Sequence, residues 1–172
     1  MIEILRNRRS VRSFLTKNIE SEKLDILIEA ALRAPTSRNI NPTKFIVVKD
    51  KETLKKLSTA KAHGAEFLSN CNVAIAVIGD TSASDTCIED CSIASIILQL
   101  TAESLGLGSC WAQIRLRYDE NKVLAEDNVR KILNIPEHFL VESIIGIGYP
   151  KSRPKPIQYD KLDFGRIKYE TF

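Results

Sequence analysis

The chain has 172 residues, 44% of them hydrophobic, and its 25 Lys+Arg against 22 Asp+Glu leave a formal net charge of only +3. A chain of this length and apolar content can bury roughly 70% of its unfolded surface, which argues against disorder, and a charge so near balance argues against a nucleic-acid tracker with one long basic stripe. The longest apolar runs, VAIAVIG and SIIGIG, fall far short of the roughly 20 residues that span a bilayer, and Glu3 and Arg6 stand where a signal peptide needs an apolar core, so a cytoplasmic protein without a membrane partner is expected.

In chain order, the first feature is LRNRRSVRSF, Leu5 to Phe14, which sets Arg6, Arg8, Arg9 and Arg12 in seven residues with Ser10, Val11 and Phe14 among them. Such a cluster is either a solvated basic face or the donor set for an anion, and two or three donors suffice for one phosphate. In SEKLDILIEAALRAP, Leu24, Leu27, Ile28, Ala31 and Leu32 recur at the helical period behind Ser21, a candidate N-cap, and Pro35 closes the element. PTSRN follows, dense in small hydroxyl and amide groups: a plain turn, or a loop that offers donors and acceptors to a polar ligand. FIVVKD, Phe45 to Asp50, has the composition of a short buried strand, with Asp50 placed to cap a helix through about Leu57.

CNVAIAVIGD is apolar and β-branched without alternation, which predicts a central strand covered on both faces. From about Thr86 to Leu105 a long helix is predicted, apolar nearly all round from Cys91 onward and stopped by Gly106; it belongs in a core or at a subunit interface. GSCWAQIR and ESIIGIGYP read as further strands with a short helix, NVRKILNIP, between them, and KSRPKPIQYDK is a polar, linker-like tail. Mixed order without strict βαβ alternation predicts one α+β unit over residues 1–172, with helices packed on a central sheet.

Several chemistries lack their residues. Cys87 and Cys91 share a helix face, but Cys71 and Cys110 form no second ligand pair and His63 and His138 stand alone, so no metal site is expected and the thiols read as buried packing groups. Neither GLGSCW nor GIGYPK completes a dinucleotide fingerprint, no P-loop occurs, and no G-x-S-x-G elbow supports serine hydrolysis.

Four separated stretches, RRSVRSF, APTSRNINPTKFIVV, AESLGLGSCW and IGIGYP with the later KP, together resemble, in order and spacing, the flavin mononucleotide (FMN)-dependent nitroreductase family. The resemblance spans nearly the whole chain. It implies a central, mostly antiparallel sheet flanked by helices, in a domain-entwined homodimer whose two flavin sites are each built from both subunits. By the same resemblance Arg8, Arg9, Ser10 and Arg12 form the flavin phosphate and ribityl cradle, and Pro35, Thr36, Ser37 and Asn39 reach across to the partner's flavin. Gln113 and Ile114 lie beside the flavin ring, where a backbone N–H faces its reactive nitrogen, and Lys155 and Arg153 add late phosphate contacts.

The chain departs from the pattern in places. Asn41-Pro42-Thr43 replaces a frequent Gln-Pro-Trp, Ile114 stands where many relatives have glycine, and Tyr159 stands about where they have arginine. Lys61 and His63 fall in a segment that is either flavin-reaching or ordinary surface loop. The implied function is an FMN-dependent oxidoreductase that takes electrons from NADH or NADPH and reduces small nitroaromatic or quinone-type acceptors by a ping-pong scheme, with no catalytic side chain because the flavin carries the chemistry. A non-catalytic flavin-storage protein, or a specialised relative such as a flavin-dependent dehalogenase, is the alternative, since fold alone does not choose among chemistries.

Overall fold

Four strands join in one antiparallel sheet in the order β1-β2-β4-β3. They are β1 (Thr43–Val48), β2 (Val73–Asp80), β3 (Gly108–Gln113) and β4 (Phe139–Gly148), and the computed structural model describes every residue from Met1 to Phe172. β2 is buried at each position through Gly79, as its unbroken apolar run requires, because helices cover both faces of the sheet. Ala74, Ala76 and Ile78 face α3 (Lys51–Ser58) and α5 (Ala125–Leu133), packing with Leu54, Leu57 and Val129. Val73, Ile75 and Val77 face α2 (Ser21–Leu32) and α4 (Cys87–Ser104), packing with Leu27, Ala31, Ala94 and Leu98. The two sets alternate with the period of a strand, and each fully buried aliphatic side chain contributes roughly 1.5–3 kcal/mol.

The α+β class and the sheet flanked by helices agree with the sequence reading, while several boundaries move. A short helix, α1 (Ile2–Asn7), precedes the arginine cluster with Ile2 and Leu5 exposed. Ser21 is the first helical residue of α2 rather than its cap; Glu20 holds that position and makes no side-chain capping bond. Asp50 does cap α3, accepting from the Thr53 N–H at 2.8 Å and the Thr53 hydroxyl at 2.7 Å. β4 begins at Phe139, three residues before Glu142, and α5 begins at Ala125. Residues 151–172 are exposed throughout, with two short 3-10 turns at Tyr159–Lys161 and Phe164–Arg166. No helix is long and apolar enough to cross a membrane.

All four cysteines are free and buried. Burial pushes the Cys71 thiol up to about 11 and raises Cys91 as well, so neither is a ready thiolate. Cys87 and Cys91 lie directly on β2 because Gly79 presents no side chain: a Cβ there would stand 2.2 Å from the Cys87 sulfur and 2.8 Å from that of Cys91. Gly79→Ala is therefore expected to destabilise the fold by about 1–3 kcal/mol, through overpacking rather than lost chemistry. Chemical denaturation of the two proteins measures it.

Candidate functional site

After α1 the chain straightens and runs along β3. Arg8 is extended (φ −60, ψ 126), Ser10 forms a parallel bridge with Ser109, and the Val11 N–H donates to the Ser109 carbonyl at 2.9 Å. Val11 and Phe14 are buried and act as two pegs that hold the segment on the core. Gly108 makes the first peg possible, since a Cβ there would meet Val11 at 2.8 Å. Phe14 bridges Pro150, the Leu15 N–H donates to the Tyr149 carbonyl, and the Lys151 N–H donates to the Ser13 carbonyl, so the segment is stitched to the end of β4 as well.

With the apolar residues turned inward, the basic ones are left outside. The guanidinium groups of Arg8 and Arg12 are neither hydrogen-bonded nor ion-paired to any group of the protein, whereas that of Arg9 donates to the Lys155 carbonyl and so draws the tail to the cluster. Cys110, on β3, feels Arg12 and Lys61 opposing the burial that raises its thiol. The Lys61 ammonium is itself held below the usual lysine value, by burial first and then by the Arg117 guanidinium. Arg117, which the sequence reading passed over, is thus a basic neighbour of Lys61.

The strand beside this cluster has an open edge. β3 has a partner on one side only, and because the Ser109 carbonyl points outward to Val11, the two-residue alternation of a strand turns the backbone N–H groups of Trp111 and Gln113 outward too. Ile114 is different: its side chain is fully buried and its N–H donates inward to the Glu142 carbonyl at 3.1 Å. The Gln113 side chain also turns inward, accepting from the Trp111 indole N–H at 2.9 Å and donating to Glu142 at 3.0 Å. Trp111 packs against the α2/α4 core.

Other expected residues lie elsewhere. Arg153 clamps the end of α4, donating to both Glu103 carboxylate oxygens at 2.8 and 2.7 Å and to the Gly106 and Leu107 carbonyls at 3.1 Å each. Its forks are taken. The segment at Pro35, Thr36, Ser37 and Asn39 is a 3-10 turn with three left-handed residues, Arg38, Asn39 and Asn41. Thr36 accepts from the Asn41 N–H at 3.0 Å, and the Ser37 N–H donates at 3.0 Å to Asp90 in the first turn of α4. Asp90 is 2% exposed and its other oxygen has no partner. No hydrogen bond joins this loop to the arginine cluster of its own chain.

Free guanidinium groups beside an outward row of backbone donors can hold an anion at one end and a flat, acceptor-rich ring along the strand edge. Comparison with known proteins identifies the family. The profile of the nitroreductase family matches residues 5–68 and 59–149. An FMN-dependent nitroreductase from Clostridium difficile R20291 superposes with a TM-score of 0.97 at 42% identity, over 100% of both chains. A relative from Archaeoglobus fulgidus with the provisional name NADH dehydrogenase/NAD(P)H nitroreductase is 37% identical over 154 residues, 87% of this chain and 85% of its own. The FMN reductase (NADPH) of Bacillus subtilis is 25% identical over 170 residues, 87% of this chain and 65% of its own. The chain belongs to the nitroreductase family, a family of oxidoreductases.

Proposed function

We propose that residues 1–172 form one FMN-binding unit of a homodimeric NAD(P)H oxidoreductase that reduces nitroaromatic or quinone-type acceptors. The observation that carries the reading is the pairing of the unpartnered Arg8 and Arg12 with the open N–H edge of β3, in a chain 42% identical along its whole length to an FMN-dependent nitroreductase. Arg8, Arg9 and Arg12 supply charge-assisted bonds to the phosphate, Ser10 adds a hydroxyl, and Lys155 is carried to the same place by the bond from Arg9 to its carbonyl. The N–H of Gln113 is the donor for the ring, because that of Ile114 is already used inside the sheet. Lys61 and Arg117 would add positive charge that stabilises an anionic reduced flavin. Arg153 acts as the clamp of α4 rather than as a phosphate ligand.

When bound, FMN supplies the electron transfer between NAD(P)H and the acceptor. The protein's part is to bind, orient and leave one face open, which requires no acid-base dyad. Purified protein is expected to be yellow and to release FMN on denaturation. NAD(P)H alone should bleach it, and a quinone or nitroaromatic should restore the colour. Because donor and acceptor use one face in turn, initial rates at several fixed acceptor concentrations should give parallel double-reciprocal lines. Intersecting lines refute the shared face, and flavin that NAD(P)H never bleaches refutes the reductase in favour of a store.

The homodimer is supported by what the single chain leaves bare. The tail exposes Ile157, Tyr159, Leu162, Phe164, Ile167, Tyr169 and Phe172, α1 exposes Ile2 and Leu5, and α4 exposes Ile93 and Ile96. Apolar surface on that scale marks an interface. In the dimer Pro35, Thr36, Ser37 and Asn39, anchored by Asp90 and unbonded to their own cradle, complete the partner's flavin site.

A further inference from the structure

β4 carries one charged residue inside its buried run. Glu142 is 4% exposed, and it is the inserted residue of a β-bulge: Val77 of β2 pairs with Ser143 and Ile78 with Val141, so Glu142 has no opposite number. A bulge takes one residue out of the alternation of the ladder and re-aims it. Here both polar ends of that residue go to the last residue of β3 and the two residues that follow it. Its carbonyl accepts the Ile114 N–H at 3.1 Å and the Arg115 N–H at 3.2 Å, and its Oε1 accepts from the Gln113 side-chain amide at 3.0 Å.

The Gln113 amide is thereby fully engaged. Its oxygen accepts from Trp111 at 2.9 Å, and its nitrogen reaches the Arg115 carbonyl at 3.3 Å besides Glu142. Glu142 Oε2, in contrast, is buried without a partner. A fold that needed only to fill this space would place valine or isoleucine here, as β4 does at Val141, Ile144 and Ile145, and would avoid a half-satisfied carboxyl group. The cost needs a return, and the group it touches is the residue whose backbone N–H stands on the open edge.

We propose that Glu142 is a positioning residue for the flavin: its bulged carbonyl and its carboxyl together hold residues 113–115, and so fix the aim of the Gln113 N–H. This inference rests on the FMN reading above. It gives a free strand end, which would otherwise fray, three separate ties to its neighbour.

The test uses the full-length holoprotein. Glu142→Val removes the acceptor while keeping the side-chain type of the strand; Glu142→Gln keeps an oxygen at the same reach. FMN affinity and the visible band of the bound flavin should be unchanged in Glu142→Gln. In Glu142→Val affinity should fall about tenfold, with a shifted band, because one hydrogen bond loses its aim. Gln113→Ala should reproduce that loss, and the double variant Glu142→Val, Gln113→Ala should be no worse than either single one, as for two residues in one network. Wild-type affinity and spectrum in a folded Glu142→Val overturn the proposal. So does a Glu142→Gln as impaired as the valine variant, since that result makes charge, not aim, the function. A merely structural role would lower the melting temperature of the FMN-free protein and leave the affinity of the folded fraction alone, which also overturns it. If Glu142→Val does not fold, Gln113→Ala decides, and wild-type behaviour there is a refutation. Wild-type protein that binds no FMN defeats the FMN reading itself, and this one with it.

Discussion

Arg8→Ala and Arg12→Ala combined should weaken FMN binding by roughly 3–6 kcal/mol, two charge-assisted contacts at about 1.5–3 kcal/mol each. The loss should come without a loss of fold. Neither guanidinium bonds to the protein, and the segment is held instead by the buried Val11 and Phe14 and by the Val11 N–H to Ser109. Isothermal titration with FMN and with riboflavin separates the causes: riboflavin lacks the phosphate, so its affinity should differ little between wild type and the double variant. Undiminished FMN affinity in a folded double variant would remove these two residues from the site. Arg9→Ala is a different experiment, since it also releases the Lys155 carbonyl.

The second large effect concerns assembly. At micromolar concentration light scattering should give twice the 19.3 kDa chain mass. Ile93 and Ile96 are each 37% exposed on a helix whose other face is in the core. In the proposed homodimer, Ile93→Glu, Ile96→Glu would put two carboxylates into the interface, and leaving such charges desolvated costs about 3 kcal/mol or more, a hundredfold or greater rise in the dimer dissociation constant. FMN should be lost in parallel, because the loop at Thr36, Ser37 and Asn39 can then no longer complete the partner's site. A monomer that keeps its FMN would show that each site is built from one chain.

How much of this was legible in the sequence follows from the range of the interactions concerned. β2 declares itself because a segment buried on both faces has only one kind of composition, and α4 because its apolar run is long even though Ile93 and Ile96 stay exposed. The start of β4 was hidden by its own bulge: a glutamate in an apolar run reads as the end of a strand, and only the pairing with β2 shows that the strand continues through it. α1 has six residues, too few to show a period. In the site, the arginines were visible as charges, but charge does not tell which guanidinium is already spent, and Arg153 differs from Arg12 through Glu103, Gly106 and Leu107, 46 to 50 positions away. Glu142 meets Gln113 across 29 positions and Asp90 meets Ser37 across 53, contacts that no local pattern encodes. A lone acid within an apolar run was the available signal for Glu142.

The stitching of the N-terminal segment also sets a timetable. Ser10 waits for Ser109, Phe14 for Pro150, and Arg9 for a carbonyl 146 positions later. At a synthesis rate of about 5–20 residues per second, the first arginines emerge on the order of ten seconds before the last of their neighbours exist. The cradle is among the last parts of the chain to close, with the loop-closure entropy of its longest contacts falling on that step. On the FMN reading proposed above, the cofactor has no half-made site to nucleate. It selects the finished chain by mass action, so added FMN should raise the yield of folded protein through slower loss of the native state, and leave the rate of folding where it was.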